Sequence, residues 1–208
     1  MLKPFLNLFM LVISAQSINA YSGSADPTAL IEKLRHNPFD SADIVGRDLN
    51  TIGLGELGHV GIWTGKSIIE ALNETPAIKS STLEYFKSRS PYWGAVYFSG
   101  WSSLPPVTLN VYSDSAYPLE QYQGKLAAVQ RARLIFQIGA NYTVSPYITP
   151  AVPFTCSTKL GCVAPVKGTY RCDTLVKDAY ITAGVRGLGY SITDMPSTLW
   201  NHNTFSQR

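Results

Sequence analysis

The chain has 208 residues, of which 45% are hydrophobic and 15% are charged, and its formal net charge is +3. This composition is typical of one compact globular domain that can bury a core. The positive charges are few and scattered, which excludes the clustered basic face of nucleic-acid binding proteins, so no nucleic-acid partner is expected.

Residues 1–20 have the pattern of a secretory signal peptide. An apolar run, Phe5–Ile13, follows Lys3, and a small residue, Ala20, ends the segment, so we expect cleavage before Tyr21. The apolar run is well short of the roughly 20 residues that a membrane-spanning helix needs. The sequence therefore predicts an exported protein, periplasmic or secreted, with no stable membrane span after removal of the signal.

A short amphipathic helix is predicted near the start of the mature chain. Asp26 is a suitable N-cap and Pro27 a suitable first helical residue, and apolar residues continue to Leu34. The mature chain, residues 21–208, is expected to form a single domain.

The stretch "GHVGIWTGKSIIEAL" predicts a β-hairpin that follows a first strand in "SADIVG". A turn at residues 64–65 pairs His59 with Glu70. A turn at residues 65–66 instead pairs His59 with Leu72 and leaves Glu70 diagonally placed. In both registers His59 and Glu70 lie on the same face of the sheet.

Further elements follow along the chain. A helix is predicted around "SSTLEYFKS", and two strands in "YWGAVYFSG" and "PPVTLNVYS". A long helix is predicted over Leu119–Ile138 with Gly139 as its stop, and a last helix runs from Cys172 towards Gly184. Helices flanking a mainly antiparallel sheet place the chain in the α+β class.

Two of the three cysteines lie in a Pro-rich segment around residues 144–168. Cys156 and Cys162 are six positions apart in "TCSTKLGC", and in an oxidising compartment they can close a small disulfide ring. A zinc site is the weaker alternative, because no His or third Cys lies nearby in the sequence. Cys172 then remains as the odd thiol.

Cys172 is a candidate nucleophile because the positive end of a helix favours a thiolate. Arg171 should support the thiolate, and the neighbouring carboxylate of Asp173 should oppose it. The alternative is that Cys172 only packs in the core, as many buried cysteines do. The chain offers three histidines as a base, namely His36, His59 and His202. His59 is the candidate that shares a sheet face with a carboxylate, which can fix the tautomer of its ring.

The order of "ADIV", "GHVGIWTG", "IIEAL", "IGANY" and "YRCDTLVKDAY" resembles the circularly permuted papain-like amidases related to NlpC/P60 enzymes, of the YaeF/YiiX type. The resemblance implies a papain-like fold in which Cys172 is the nucleophile, His59 the base and Glu70 the orienting residue. Tyr170 matches the aromatic position just before the cysteine and is expected to contact substrate. The chain departs from the family at Asp173, where a small hydroxyl residue is common, and in the Pro-rich segment, which looks like an insertion.

The expected function is an exported cysteine hydrolase, an amidase or peptidase that forms an acyl-enzyme, with cell-wall peptides as one substrate class. Two alternatives stay open: a lipid-directed thiol acyltransferase or esterase, and a non-catalytic binding protein on the same fold. The expected partner is a peptide, amide or lipid-like acyl substrate. No metal or organic cofactor is required by this chemistry.

Overall fold

The computed structural model of the protein describes residues 39–49, 57–110, 119–157, 161–191 and 195–208. The predicted signal peptide, the predicted first helix and His36 lie outside these residues, so those predictions stay as they are. The described chain from residue 39 onwards belongs to one compact unit.

Strands and helices alternate irregularly along the described residues. The strands are β1 (Ile44–Arg47), β2 (His59–Trp63), β3 (Ile68–Ala71), β4 (Ile78–Ser81), β5 (Tyr92–Tyr97), β6 (Val107–Asn110), β7 (Leu119–Tyr122), β8 (Asn141–Tyr142), β9 (Thr155–Ser157), β10 (Gly161–Val163), β11 (Thr169–Tyr170) and β12 (Ser206–Gln207). The α-helices are α1 (Leu83–Ser88), α2 (Lys125–Ile138), α3 (Cys172–Thr182) and α4 (Pro196–Trp200). No helix in these ranges combines the length and the apolar character that a membrane crossing requires.

The main sheet has six strands in the order β12-β5-β1-β2-β3-β4. Every neighbouring pair in it is antiparallel. The short pair of β8 and β11 is parallel and lies outside this sheet. The predicted α+β class with a mainly antiparallel sheet and flanking helices is confirmed.

The hairpin of β2 and β3 has the second of the two predicted registers. Trp63 pairs with Ile68, and the backbone N–H of Thr64 donates to the carbonyl of Ser67 at 2.8 Å. The turn therefore lies at residues 65–66, where Gly65 supplies a left-handed φ of 93°. The register with a turn at residues 64–65 is wrong.

The predicted helix over Leu119–Ile138 begins six residues later than expected. Its first part is the strand β7, which pairs with β6 across a separate two-stranded sheet. Gly124 follows with a φ of 58° and is the N-cap residue at which the helix begins. Cross-strand pairing with the preceding strand β6 outweighed the local helical pattern. The predicted stop at Gly139 is confirmed, because Gly139 caps the helix in the left-handed conformation.

The two faces of the main sheet carry different hydrophobic clusters. The larger cluster contains Val60 and Ile62 of β2 together with Leu175 and Val176 of α3, and α2 packs against α3 beside it. The smaller cluster lies on the other face, and its members are Phe39, Val45, Trp63, Ile68, Phe86 and Ala95. Because side chains alternate along a strand, neighbouring residues of β2 contribute to opposite faces.

The Pro-rich segment is anchored at its base to the domain. Thr149 pairs with Thr169 and Val152 pairs with Val166 in isolated antiparallel bridges, and β9 and β10 form a hairpin farther along. Gly168 has a φ of 77°, and a Cβ there would lie 2.6 Å from the Ala151 nitrogen, so this crossing needs a glycine. The segment is a bridged ribbon that returns directly into β11 and α3.

Candidate active site

His59 and Glu70 form a buried hydrogen-bonded pair. Nε2 of His59 lies 2.7 Å from Oε2 of Glu70, and the side chains are 3% and 0% exposed. The Ser81 hydroxyl donates to the other oxygen of Glu70. Nη2 of Arg47 lies 3.7 Å from Oε2 of Glu70. Three neighbours of the carboxylate, His59, Ser81 and Arg47, therefore favour its ionised form.

The hairpin register explains why these side chains meet. In this register Gly61 lies directly opposite Glu70, so Glu70 lies diagonally across from His59. A Cβ at Gly61 would lie 2.4 Å from Cγ2 of Ile68 and 3.3 Å from Cβ of Glu70. The glycine therefore leaves the space through which the diagonal pair comes into contact. Arg47 of β1 lies directly opposite His59 and completes the same face.

Burial and charge set the protonation states of the pair. Burial raises the pKa of Glu70, but the hydrogen bond from His59 and the contacts with Ser81 and Arg47 outweigh it and hold that pKa below its usual value. Burial lowers the pKa of His59, the bond to Glu70 partly offsets this, and the Arg47 charge lowers it further. At neutral pH the pair is a carboxylate and a neutral imidazole. Nε2 carries the proton that faces Glu70, and Nδ1 is left as the basic nitrogen.

Cys172 is the first residue of α3 and lies against β2. Its thiol is free, and the residue is 5% exposed. Hydrogen bonds from the backbone N–H groups of Val60 and Asp173 point at the sulfur. The helix start is fixed by Thr174, whose hydroxyl accepts the Arg171 N–H at 2.8 Å. The predicted helix start at Cys172 is confirmed.

The thiol is protonated at neutral pH. Burial raises the pKa of Cys172 to about 12, and the Asp173 carboxylate adds to this increase. The Val60 N–H and Arg171 lower the pKa by a smaller amount. The expected opposing effects of Asp173 and Arg171 are both confirmed in direction, whereas the expectation that the helix terminus favours a thiolate is outweighed by burial. Asp173 is fully buried and is held by Arg171 through bonds of 2.6 and 2.9 Å.

Cys172 and His59 approach the beginning of β2 from different sides. The sulfur contacts the backbone of Val60, the residue that follows His59, and Cys172 belongs to the larger hydrophobic cluster. The His59 ring packs against Phe86 of the smaller cluster, with ring centroids 5.8 Å apart. The structure thus brings Glu70 to His59 and brings the sulfur to the adjacent backbone position.

Three residues near this site were not predicted from the sequence. Arg47 and Ser81 contact Glu70, and Tyr142 lies close enough to Cys172 for the sulfur's charge to raise the pKa of its phenol, after the larger effect of burial. The sequence signal for Arg47 is a charged residue at the end of a buried strand, which commonly marks a paired charge. Tyr142 gives no comparable signal, because only the parallel pairing of β8 with β11 brings it to Cys172.

A pocket of about 160 Å³ opens beside His59. Its lining residues come from four strands, the loop after β3, the segment after α1 and the Leu49 loop: Arg47, Leu49, His59, Ala71, Leu72, Asn73, Glu74, Arg89 and Tyr142. The pocket is the space through which a substrate group can reach the His59 ring.

Tyr170 does not face this pocket. It is fully buried, its hydroxyl donates to Oδ2 of Asp178 at 2.7 Å, and it accepts the Ala151 N–H at 2.6 Å. Arg131 donates to the same Asp178 oxygen at 2.7 Å. Tyr170 therefore joins the Pro-rich ribbon to α3, and its surroundings argue against the substrate contact expected from the sequence.

The backbone register places Cys156 directly opposite Cys162 in the hairpin of β9 and β10. This juxtaposition suits a disulfide, and the bond stays a prediction. Within the described ranges, no three His, Cys, Asp or Glu side chains come together as a metal site.

Comparison with known proteins gave no relatives: no protein-family model, no curated protein and no solved structure matches this chain significantly.

Proposed function

We propose that the protein is an exported cysteine hydrolase, an amidase or peptidase with a permuted papain-like fold related to NlpC/P60 enzymes. The observation that carries this proposal is the buried hydrogen bond between His59 and Glu70, next to the residue whose N–H contacts the Cys172 sulfur. A neutral imidazole oriented by a carboxylate is the usual partner of a nucleophile that is protonated at rest.

In the first step, His59 Nδ1 takes the thiol proton while the Cys172 sulfur attacks the carbonyl carbon of an amide or ester. Because the ring and the sulfur lie on different sides of β2, this transfer requires a bridging water or a shift of the ring on substrate binding. The carbonyl oxygen becomes an oxyanion, and backbone N–H groups at the start of α3 are the candidate donors that stabilise it. The intermediate collapses when the imidazolium gives its proton to the leaving amine or alcohol. The product is a thioester on Cys172 and a neutral His59.

In the second step, His59 takes a proton from water as the water oxygen attacks the thioester. The C–S bond breaks, the carboxylic acid leaves, and the expelled Cys172 thiolate takes the proton from the imidazolium. If an alcohol or amine replaces water, the same residues transfer the acyl group, which is the lipid-directed alternative. Analysis of the products with and without an added acceptor distinguishes hydrolysis from transfer.

The test is intact-mass analysis after brief treatment of the mature protein with p-nitrophenyl acetate at neutral pH, followed by peptide mapping. We expect an acetyl group on Cys172 that disappears with time, no such adduct in Cys172→Ala, and slower acetylation in His59→Gln. An iodoacetamide reaction is less decisive, because a resting thiol with a raised pKa alkylates slowly whether or not His59 activates it during catalysis.

A second candidate function is a non-catalytic binding protein on the same fold. The observation that favours it is the protonated, 5% exposed Cys172 thiol, whose pKa is about 12. If folded wild-type protein is not acetylated at Cys172 and releases no p-nitrophenol above the rate of Cys172→Ala, the hydrolase proposal fails and this candidate takes its place.

A further inference from the structure

The pocket beside His59 has an excess of positive charge. Arg47 and Arg89 line it, and Lys79 lies next to Glu74 at its rim. Glu74 pairs with both Lys79 and Arg89, and Glu70 pairs with Arg47. The charged lining residues are Arg47, Arg89 and Glu74, which leaves a net charge of +1 beside the neutral His59 ring. Glu70 and Lys79 lie behind this lining, and their charges cancel each other.

Arg47 is an unusual lining residue because its side chain is 2% exposed. Nη1 donates to the Asp48 carbonyl and to the Ser90 hydroxyl, each at 3.2 Å. Its Nε is buried and has no hydrogen-bond partner among the described residues. A buried guanidinium with a spare donor is a group that a ligand oxygen would satisfy.

Tyr142 links this pocket to the sulfur of Cys172. It lines the pocket together with His59, and burial and the nearby thiol keep its phenol protonated by raising its pKa. A ligand held by the arginines would therefore lie beside His59 and beside Tyr142, which is itself close to the sulfur.

We propose that this pocket binds a carboxylate group of the acyl substrate. This inference rests on the proposed function for its substrate, but the binding itself does not require catalysis. Guanidinium groups match the planar geometry of a carboxylate, and a volume of about 160 Å³ suits a short acidic side chain. Glu74 opposes an anion at the rim, but its own charge is already balanced by two cations.

The test is isothermal titration of Cys172→Ala protein with glutarate and with glutaramide, a neutral molecule of matched shape. We expect glutarate to bind at least about tenfold more tightly than glutaramide, a difference of one order of magnitude in Kd. Arg89→Gln should remove most of this preference, because it deletes a half-buried cation of the pocket lining whose ion pair with Glu74 contributes little to stability. The matched control Arg133→Gln changes an exposed arginine of α2 that does not line the pocket, and it should leave both affinities unchanged.

Arg47→Lys provides a second variant that keeps the charge but removes the planar donor fork, and it should weaken glutarate binding while its circular dichroism spectrum stays native. Equal affinity for glutarate and glutaramide, or binding unaffected by Arg89→Gln and Arg47→Lys, would overturn the inference. Inorganic phosphate binding more tightly than glutarate would overturn the assignment of a carboxylate. Failure of the acetylation test with intact glutarate binding would refute the hydrolase and leave the anion site standing.

Discussion

The Nε2 atom of His59 lies 2.7 Å from Oε2 of Glu70, and the carboxylate that orients this ring is itself completely buried. Its other neighbours are the Ser81 hydroxyl and the Arg47 guanidinium. A buried charge is tolerated only where such partners surround it. The stability of the fold and the protonation state of the site therefore depend on the same group of side chains.

Glu70→Gln should destabilise the protein by about 3 kcal/mol or more, because it leaves the Arg47 charge buried without its partner. Urea unfolding measures the change. The matched control is Glu74→Gln, which removes a partly exposed carboxylate that pairs with Lys79 and Arg89, and its cost should stay within about 1 kcal/mol. Equal losses for the two variants would contradict the importance of the buried network.

The free energy of unfolding should decrease at both low and high pH. His59 has a lowered pKa in the folded state, so its contribution is complete above its usual value of 6.5 and is lost as the pH falls below it. The pKa of Glu70 is also lowered in the folded state, so the free energy of unfolding decreases further below about pH 4.5, the usual pKa of this group. The pKa of Cys172 is raised in the folded state, so its contribution to the free energy of unfolding is complete below pH 9.0, the usual pKa of a thiol. This contribution is lost as the pH rises towards about 12.

Urea titrations at several pH values test this profile. His59→Gln should flatten the decrease that begins near pH 6.5, and Cys172→Ala should reduce the alkaline decrease. Part of the alkaline loss should remain in Cys172→Ala, because burial also raises the pKa of Tyr180 well above its usual value. An acid decrease of unchanged size in His59→Gln would show that the histidine is not the group responsible.

Asp173→Asn should accelerate alkylation of Cys172 by iodoacetamide at pH 8 to 9. The substitution removes a carboxylate that raises the pKa of the thiol, and each unit of decrease raises the thiolate fraction about tenfold. Intact-mass time courses give the rates. The control Asp40→Asn removes a carboxylate that pairs with Lys125 and should leave the rate unchanged. A slower reaction in Asp173→Asn would mean that the released Arg171 has altered the helix start.

Tyr170→Phe should cost about 1–3 kcal/mol, because the Ala151 N–H loses its acceptor and Asp178 loses a donor in a buried site. Tyr147→Phe, at a position 60% exposed, should cost less than about 0.5 kcal/mol. If the role of Tyr170 is structural, kcat/KM of Tyr170→Phe for p-nitrophenyl acetate should match that of the wild type at a temperature where both proteins are folded. A large loss of kcat/KM without loss of stability would restore the substrate contact first expected for Tyr170.

Peptide mapping without reduction should find Cys156 linked to Cys162 and Cys172 free. The register brings the two hairpin residues directly opposite each other, and a ring of this size contributes about 2 kcal/mol by the loop-entropy estimate. Reduction should therefore lower Tm modestly, and the double variant Cys156→Ser with Cys162→Ser should lose that sensitivity. Detection of Cys172 in a disulfide would contradict both the pairing and the proposed nucleophile.

Local patterns in the sequence were sufficient for several elements. The alternation in "GHVGIW" and "SIIEAL", with a glycine turn between them, predicted β2 and β3, and the cysteine at the start of "CDTLVKDAY" predicted α3. The shared face of His59 and Glu70 followed from the two-residue period of a strand, and it is the same for a two-residue turn at residues 64–65 or at residues 65–66. These features depend on neighbours close in the chain, so the sequence by itself determined them.

The tertiary structure decided what depends on contacts with other segments of the chain. The strand β7 replaced the start of a predicted helix because β6 offered a pairing partner, and Arg47, Ser81 and Tyr142 reached the site through other strands. The protonation of Cys172 was also decided there, because the local helix terminus favours a thiolate whereas burial against β2 and the larger cluster opposes it. Desolvation depends on every segment that excludes water from the sulfur, and no short stretch of sequence contains that information.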